Sequence, residues 1–193
     1  VIEPNPASGA AAQDAGVKIA VDASQIPVGF IPRAVILAVK PQIMAAAAAP
    51  FARFAGQAGY LSIAAGKTLA GFEALFGATA SIVRAMPNTP AAIGQGITVA
   101  CANARAGKPF RDLCHDLLGA VGEVAWVDDE SLLDAVTAVS GSGPAYVFLL
   151  IEAMTEAGVA AGLAPDLALR LATVTVAGSG ELARRSGSDP AQL

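Results

Sequence analysis

Short apolar runs alternate with helix-forming segments over the first two thirds of the chain. Residues 34–39 (AVILAV) are continuously apolar, as in a parallel strand buried on both faces. Residues 60–65 (YLSIAA), 81–85 (SIVRA), 96–102 (GITVACA) and 123–127 (EVAWV) have the same strand character, and Val1, Ile2 and residues 17–21 (VKIAV) add earlier strand candidates. Between them, residues 42–58, 69–76 and 109–119 favour helix. The alternation predicts an α/β fold: a mainly parallel sheet with helices on both faces. After Asp128 the period changes. Leu132, Leu133, Val136 and Val139 recur at helical spacing, residues 144–161 read as a long apolar helix, and Gly162 stops it. Pro165 opens a last helix to about Arg185, with Leu167, Leu171, Val174 and Leu182 expected on its buried face. The pattern divides the chain into an α/β part, 1–128, and an all-helical part, 129–193. It opens on strand-like residues and closes on an N-cap signal, Ser188-Asp189-Pro190, so it reads as a piece of a longer protein.

Composition narrows the partners. A formal charge of −4 and an isoelectric point near 4.9 argue against a nucleic-acid binder, which needs a basic face. Mean hydropathy is high at +0.57. However, the run at 45–51 contains Pro50, and residues 135–151 are interrupted by Gly141, Ser142, Gly143 and Pro144. A membrane span takes about 20 consecutive apolar residues, so none is expected. The excess comes from alanine and valine, which suit close-packed helices or a subunit interface. The cysteines, Cys101 and Cys114, show neither metal-ligand spacing nor a disulfide framework, so no metal is expected. The opening VIEPNPASG lacks the regions of a signal peptide, and a cytoplasmic location is expected.

Residues 140–154 (SGSGPAYVFLLIEAM) carry a glycine pair suggestive of a phosphate loop. A dinucleotide fingerprint needs a third glycine, where this chain has Tyr146, and a preceding strand, where it has helix. The pair reads instead as a tight helix–turn–helix link, with Gly141 and Gly143 at unusual backbone angles and Pro144 opening a helix. One reading is a plain packing turn. The sharper reading is that the free N–H groups of that helix start, beside the Ser140 and Ser142 hydroxyls, bind a small carboxylate.

Four ordered motifs carry a family resemblance: ILAVKPQ (36–42), SIAAG (62–66), MPNTPAAIGQG (86–96) and DAVTAVSGSGPAYVFLLIEAM (134–154). Together they resemble the pyrroline-5-carboxylate reductase family along essentially the whole chain. The resemblance implies a Rossmann-like domain that binds NADPH or NADH, then a helical domain that interlocks with a second copy in a homodimer or higher homo-oligomer. It implies hydride transfer from the nicotinamide to the C=N carbon of a cyclic imine carboxylate, giving L-proline. Ala38, Val39, Lys40 and Pro41, ending a strand where open sheets bind ligands, are implied cofactor contacts. Ala64, Ala65 and Gly66 are small enough for close approach by the nicotinamide, and Asn88, with Thr89, supplies neutral donors and acceptors. Asn5 lies where the adenine ribose is read and suits either cofactor, whereas Glu3 favours NAD. Ser140, Gly141, Ser142 and Gly143 are the expected substrate-binding turn. Ser140, Ser142 and Asp134 are the candidate catalytic groups, Asp134 as an electrostatic partner for the iminium. His115 is expected on a helix surface with no catalytic part, because a protonated imine is already electrophilic and positioning dominates. The family's Gly-rich phosphate loop and its substrate-closing loop match nothing here, so the isolated chain is expected to be inactive. The alternatives are another imine reductase or β-hydroxyacid-type dehydrogenase of the same architecture, or a fragment that serves only as a dimerising fold.

Overall fold

The computed structural model describes residues 1–193, Ala11 through its backbone alone. Five strands form one sheet in the order β1-β2-β3-β4-β5: β1 (Ala34–Leu37), β2 (Gly59–Ser62), β3 (Ser81–Met86), β4 (Gly96–Ala102) and β5 (Gly122–Trp126). β1, β2 and β3 run parallel, as do β4 and β5, while β3 and β4 pair antiparallel. The exception has a local cause. The link from Met86 to Gly96, stiffened by Pro87 and Pro90, is too short for a parallel crossover, which needs about a dozen residues or more.

Alternation along β2 and β3 divides the core between the two faces. Tyr60 and Ile82 face one layer with α2 (Met44–Ala48) and α3 (Leu69–Phe76), where the Tyr60 and Phe76 rings stack at 3.8 Å. Leu61 and Val83 face the other layer, with Cys114 and Leu118 of α4 (Lys108–Gly119). Beyond β5 the described residues contain helix and no strand: α5 (Leu132–Val136), a π-helical turn (Thr137–Gly141), α6 (Gly143–Ala160) and α7 (Pro165–Ser186). Leu133 anchors that run to the sheet by burying fully against Val99 and Cys101.

Several expectations are corrected. Residues 1–2 and 17–21 form no strand but an isolated parallel bridge, Ile2 to Ala20, on either side of the helix α1 (Pro6–Asp14). β1 stops at Leu37, and Ile36 is 50% exposed, so this edge strand is covered on one face only. Residues 42–58 are not one helix. Pro50 lacks an N–H and holds α2 to a short turn between the 3-10 segments Pro41–Ile43 and Ala49–Phe54. On α7 the buried residues are Ala168 and Ala172, while Leu167, Leu171, Val174 and Leu182 are all exposed. Small residues decide this packing. A Cβ on Gly158 of α6 would lie 3.1 Å from the Ala168 Cβ, so the backbones approach closely and the leucines point away.

The glycine pair departs furthest from expectation. Neither Gly141 nor Gly143 has positive φ, and helix runs unbroken from Leu132 to Ala160. In a regular α-helix the Pro144 ring would meet the Ser140 carbonyl. The wider turn, closed by the Ser142 N–H on the Thr137 carbonyl at 2.8 Å, accommodates that conflict while the helix continues. By length and composition alone this run is apolar enough to cross a membrane, which removes the interruption as a ground for excluding a span. It does carry Glu152 and Glu156 one turn apart, and charges are costly inside a bilayer.

Candidate active site

Because β1, β2 and β3 are parallel, the loops that follow them leave the same edge of the sheet. After β1, Ala38 is exposed, Val39 half-buried, and Lys40 exposed in extended backbone before Pro41 starts a 3-10 turn. After β2, the Ala64 N–H donates to the Ser62 hydroxyl at 3.2 Å, which folds the loop back on its strand. Ala65 and Gly66 then lie exposed, Gly66 at φ 69°, with nothing within 4 Å of a Cβ built there. The Thr68 hydroxyl accepts the Gly71 N–H at 3.1 Å and so caps α3.

The loop after β3 meets the helical run. The Asn88 amide Nδ2 donates to Ser140 Oγ at 3.3 Å, and its Oδ1 accepts the Ile97 N–H at 3.0 Å, which orients the side chain. Two residues earlier, Met86 lies over Gly141: a Cβ there would come within 2.3 Å of the Met86 methyl. Gly141 therefore serves the close approach of Met86 and not unusual backbone angles. The structure thus joins Asn88, Ser140 and Gly141 at the carboxyl end of β3.

The remaining predicted residues lie outside this cluster. Ser142 is half-buried with its N–H spent on Thr137, so that N–H is not available to a carboxylate. Beyond its chain neighbours and its own helix backbone, nothing among the described residues comes within 4 Å of a Cβ built on Gly143. Asp134 is exposed in the first turn of α5, where the helix dipole favours an acid. Asn5 caps the first helix, its Oδ1 accepting the Ala7 N–H at 3.0 Å, while the Glu3 carboxylate accepts the Asn5 N–H. His115 is exposed on α4, its Nδ1 accepting from the Trp126 indole at 3.4 Å.

The electrostatics offer no activated thiol. Burial pushes the Cys101 thiol up, with the Glu130 charge adding to it, and burial pushes Cys114 up to about 12. Among the described residues no group of His, Cys, Asp and Glu is arranged for a metal. A hollow of about 510 Å³ between α4 and β5 lies elsewhere, lined by Lys108, Arg111, Asp112, His115 and Trp126. It is wide open and its cations are engaged: Lys108 with Asp112 at 2.7 Å, and Arg111 over the Trp126 ring at 4.9 Å. The strand-end cluster, with its convergent polar groups, is the better site.

Known proteins share this fold. Residues 130–193 match the family described as pyrroline-5-carboxylate reductase dimerisation. The pyrroline-5-carboxylate reductase of Coxiella burnetii superposes with a TM-score of 0.84 at 34% identity, covering 93% of this chain and 67% of that one. The chain belongs to the pyrroline-5-carboxylate reductase family. The enzyme of that name from Pseudomonas aeruginosa is 46% identical over 160 residues, 82% of this chain and 59% of its own length. The Plasmodium falciparum pyrroline carboxylate reductase, solved with NADP bound, superposes with a TM-score of 0.77 at 31% identity, over 83% of this chain and 61% of that one. The chain thus spans about three fifths of the relatives it matches. A prephenate dehydrogenase from Aquifex aeolicus, at 18% identity and TM-score 0.57, shares the fold alone.

Sequence reasoning missed two features of the site. It named Asn88 as a cofactor contact without its amide's bond to Ser140. It also passed over Glu130, whose carboxylate ties the helical run to both β3 and α3.

Proposed function

We propose that the full-length protein carrying this chain reduces 1-pyrroline-5-carboxylate to L-proline with NADPH or NADH. The observation that carries this reading is the Asn88–Ser140 contact. It brings the loop after β3, beside the other strand ends, against the turn carrying the family's longest motif. In this reading residues 1–128 bind the cofactor, while residues 129–193 hold substrate and pair with a second copy. The bound nicotinamide supplies hydride to the C=N carbon. The chain's own residues position the reactants. The open approach at Ala65 and Gly66 leaves room for a flat ring, and Lys40 offers a cation beside the strand end. Ser140, held by Asn88, presents its hydroxyl toward the imine's side. The ring nitrogen enters protonated and leaves as the amine, so no residue here must shuttle a proton for the hydride step.

A second copy accounts for the helices. Tyr146, Phe148, Leu149 and Leu150 of α6 and Leu171 and Val174 of α7 are all close to half exposed or more in one chain, an apolar area that suits a permanent partner. The complete gene, expressed in a bacterium lacking its own pyrroline-5-carboxylate reductase, should restore growth without proline. Failure to do so, with soluble protein present, counts against the reading.

A further inference from the structure

Glu130 lies where the α/β part passes into the helical run, and one of its oxygens serves two elements at once. Oε1 accepts from Arg84 Nη1 of β3 at 2.8 Å and from the backbone N–H of Leu69 at 2.7 Å. Leu69 is the first residue of α3, directly after the loop that carries Ala64, Ala65 and Gly66. Arg84 is 5% exposed and pairs in register with Cys101, and the Glu130 side chain is about a quarter exposed. The Glu130 carbonyl, meanwhile, accepts the Leu133 N–H at 3.0 Å and so starts the helical run. Leu133 packs beside Leu69 in the same apolar cluster. The acid therefore has three fixed neighbours: a strand leading to Asn88, the helix start that ends the 64–68 loop, and the run leading to Ser140.

We propose that Glu130 is a positioning residue: by accepting the Leu69 N–H while held by Arg84, it fixes the 64–68 loop relative to the helical run, and so sets cofactor affinity. This rests on the reductase reading, in which that loop receives the nicotinamide. Glu130 touches neither reactant. It acts through α3, whose first-turn N–H groups need an acceptor and whose positive end favours a carboxylate. Simple removal of Glu130 strands a buried guanidinium and conflates folding with positioning. The informative variants separate charge from acceptor. Glu130→Gln keeps an acceptor oxygen, whereas Arg84→Met/Glu130→Leu removes the acceptor without leaving a charge unpaired.

Three measurements on the full-length protein decide the matter: the KM for NAD(P)H, kcat at saturating cofactor, and amide hydrogen exchange at Leu69. In Arg84→Met/Glu130→Leu the cofactor KM should rise about tenfold, kcat should change less than about threefold, and Leu69 should lose protection. Glu130→Gln should keep KM within about threefold of wild type. An unchanged KM in the folded double variant overturns the proposal, as does a loss of kcat with KM unmoved. If the double variant does not fold, Glu130→Asp replaces it. That carboxyl is drawn back from Leu69 by one methylene, so its cofactor KM should rise several-fold, and an unchanged value overturns the proposal. Should the wild-type protein lack activity on 1-pyrroline-5-carboxylate, the reductase reading falls separately. NAD(P)H binding, followed by fluorescence, then replaces KM, with the same expected loss and the same refutation.

Discussion

Placing alanine at each glycine of the 140–143 turn separates close approach from backbone freedom. Both positions are helical, so each Gly→Ala change gains about 0.5–1 kcal/mol of helix propensity. At Gly143 no atom beyond its chain neighbours and its own helix opposes that gain, but the Pro144 ring crowds a Cβ on the residue before it, so the variant should lie between neutral and about 1 kcal/mol more stable. At Gly141 the new Cβ would lie 2.3 Å from the Met86 methyl. Ordinary contact is roughly 3.5–4 Å, so the methyl must withdraw by about 1.2–1.7 Å. Methionine bends readily and its end can move, which puts the cost near the low end of overpacking, about 1–2 kcal/mol. The gain offsets part of the cost, leaving Gly141→Ala between neutral and about 1.5 kcal/mol destabilised. Gly143→Ala should be the more stable of the two by up to about 2 kcal/mol, or up to roughly 8 °C in Tm for a chain of this size. Denaturant unfolding followed by the single tryptophan, Trp126, reads it directly. A double-mutant cycle with Met86→Ala should return a coupling of about 1 kcal/mol, since removing the methyl removes the clash. Gly143→Ala less stable than Gly141→Ala, or zero coupling between Gly141 and Met86, would refute the packing argument.

The other expectations concern charge, binding and association. In the folded state the thiols of Cys101 and Cys114 are pushed up by burial, Cys114 to about 12. The folded chain thus keeps protons that the unfolded chain releases above about pH 8.5. The thiols' contribution to stability should be flat between neutral pH and about pH 8.5 and fall as pH rises toward 12, with both thiols blocked to alkylation at neutral pH until unfolding. Rapid labelling of native protein would contradict this. Lys40→Ala in the full-length protein should raise the cofactor KM with kcat little changed, and the reverse pattern contradicts its role. His115→Ala should leave kcat within about twofold between pH 6 and 8, whereas a hundredfold loss with the fold intact contradicts the assignment. Sedimentation should find the full-length protein dimeric or larger at micromolar concentration, and a stable monomer counts against the helical interface.

Residues whose neighbours in sequence determine their conformation were legible in advance. The helix expected over 69–76 has those bounds, because Thr68 caps it locally and Gly77, at φ 92°, ends it. The strands 81–85, 96–102 and 123–127 fall within a residue of their observed ends, since apolar alternation and flanking glycines mark them. The weak pair at 1–2 and 17–21 has strand composition but only a single bridge to hold it. GSGP carries every local signal of a turn, yet the packing of Met86 on Gly141 and of Leu133 in the sheet carries the helix through it. Asn88 and Ser140 were each visible as polar residues beside prolines and glycines. Their contact spans 52 positions and exists only in the folded chain. Glu130 was hidden in Asp128-Asp129-Glu130, which reads as a solvated acidic link until Arg84 and Leu69 are seen on its carboxylate.

One assay decides whether the protein carrying this chain reduces a cyclic imine carboxylate, as proposed. The direct measurement mixes purified full-length protein, NADPH or NADH, and 1-pyrroline-5-carboxylate, and follows nicotinamide absorbance together with the L-proline formed. The expected result is cofactor oxidation that requires the imine and yields proline in equal amount, with little turnover from the 193-residue chain alone. Folded full-length protein that oxidises neither cofactor in the presence of the imine would contradict it.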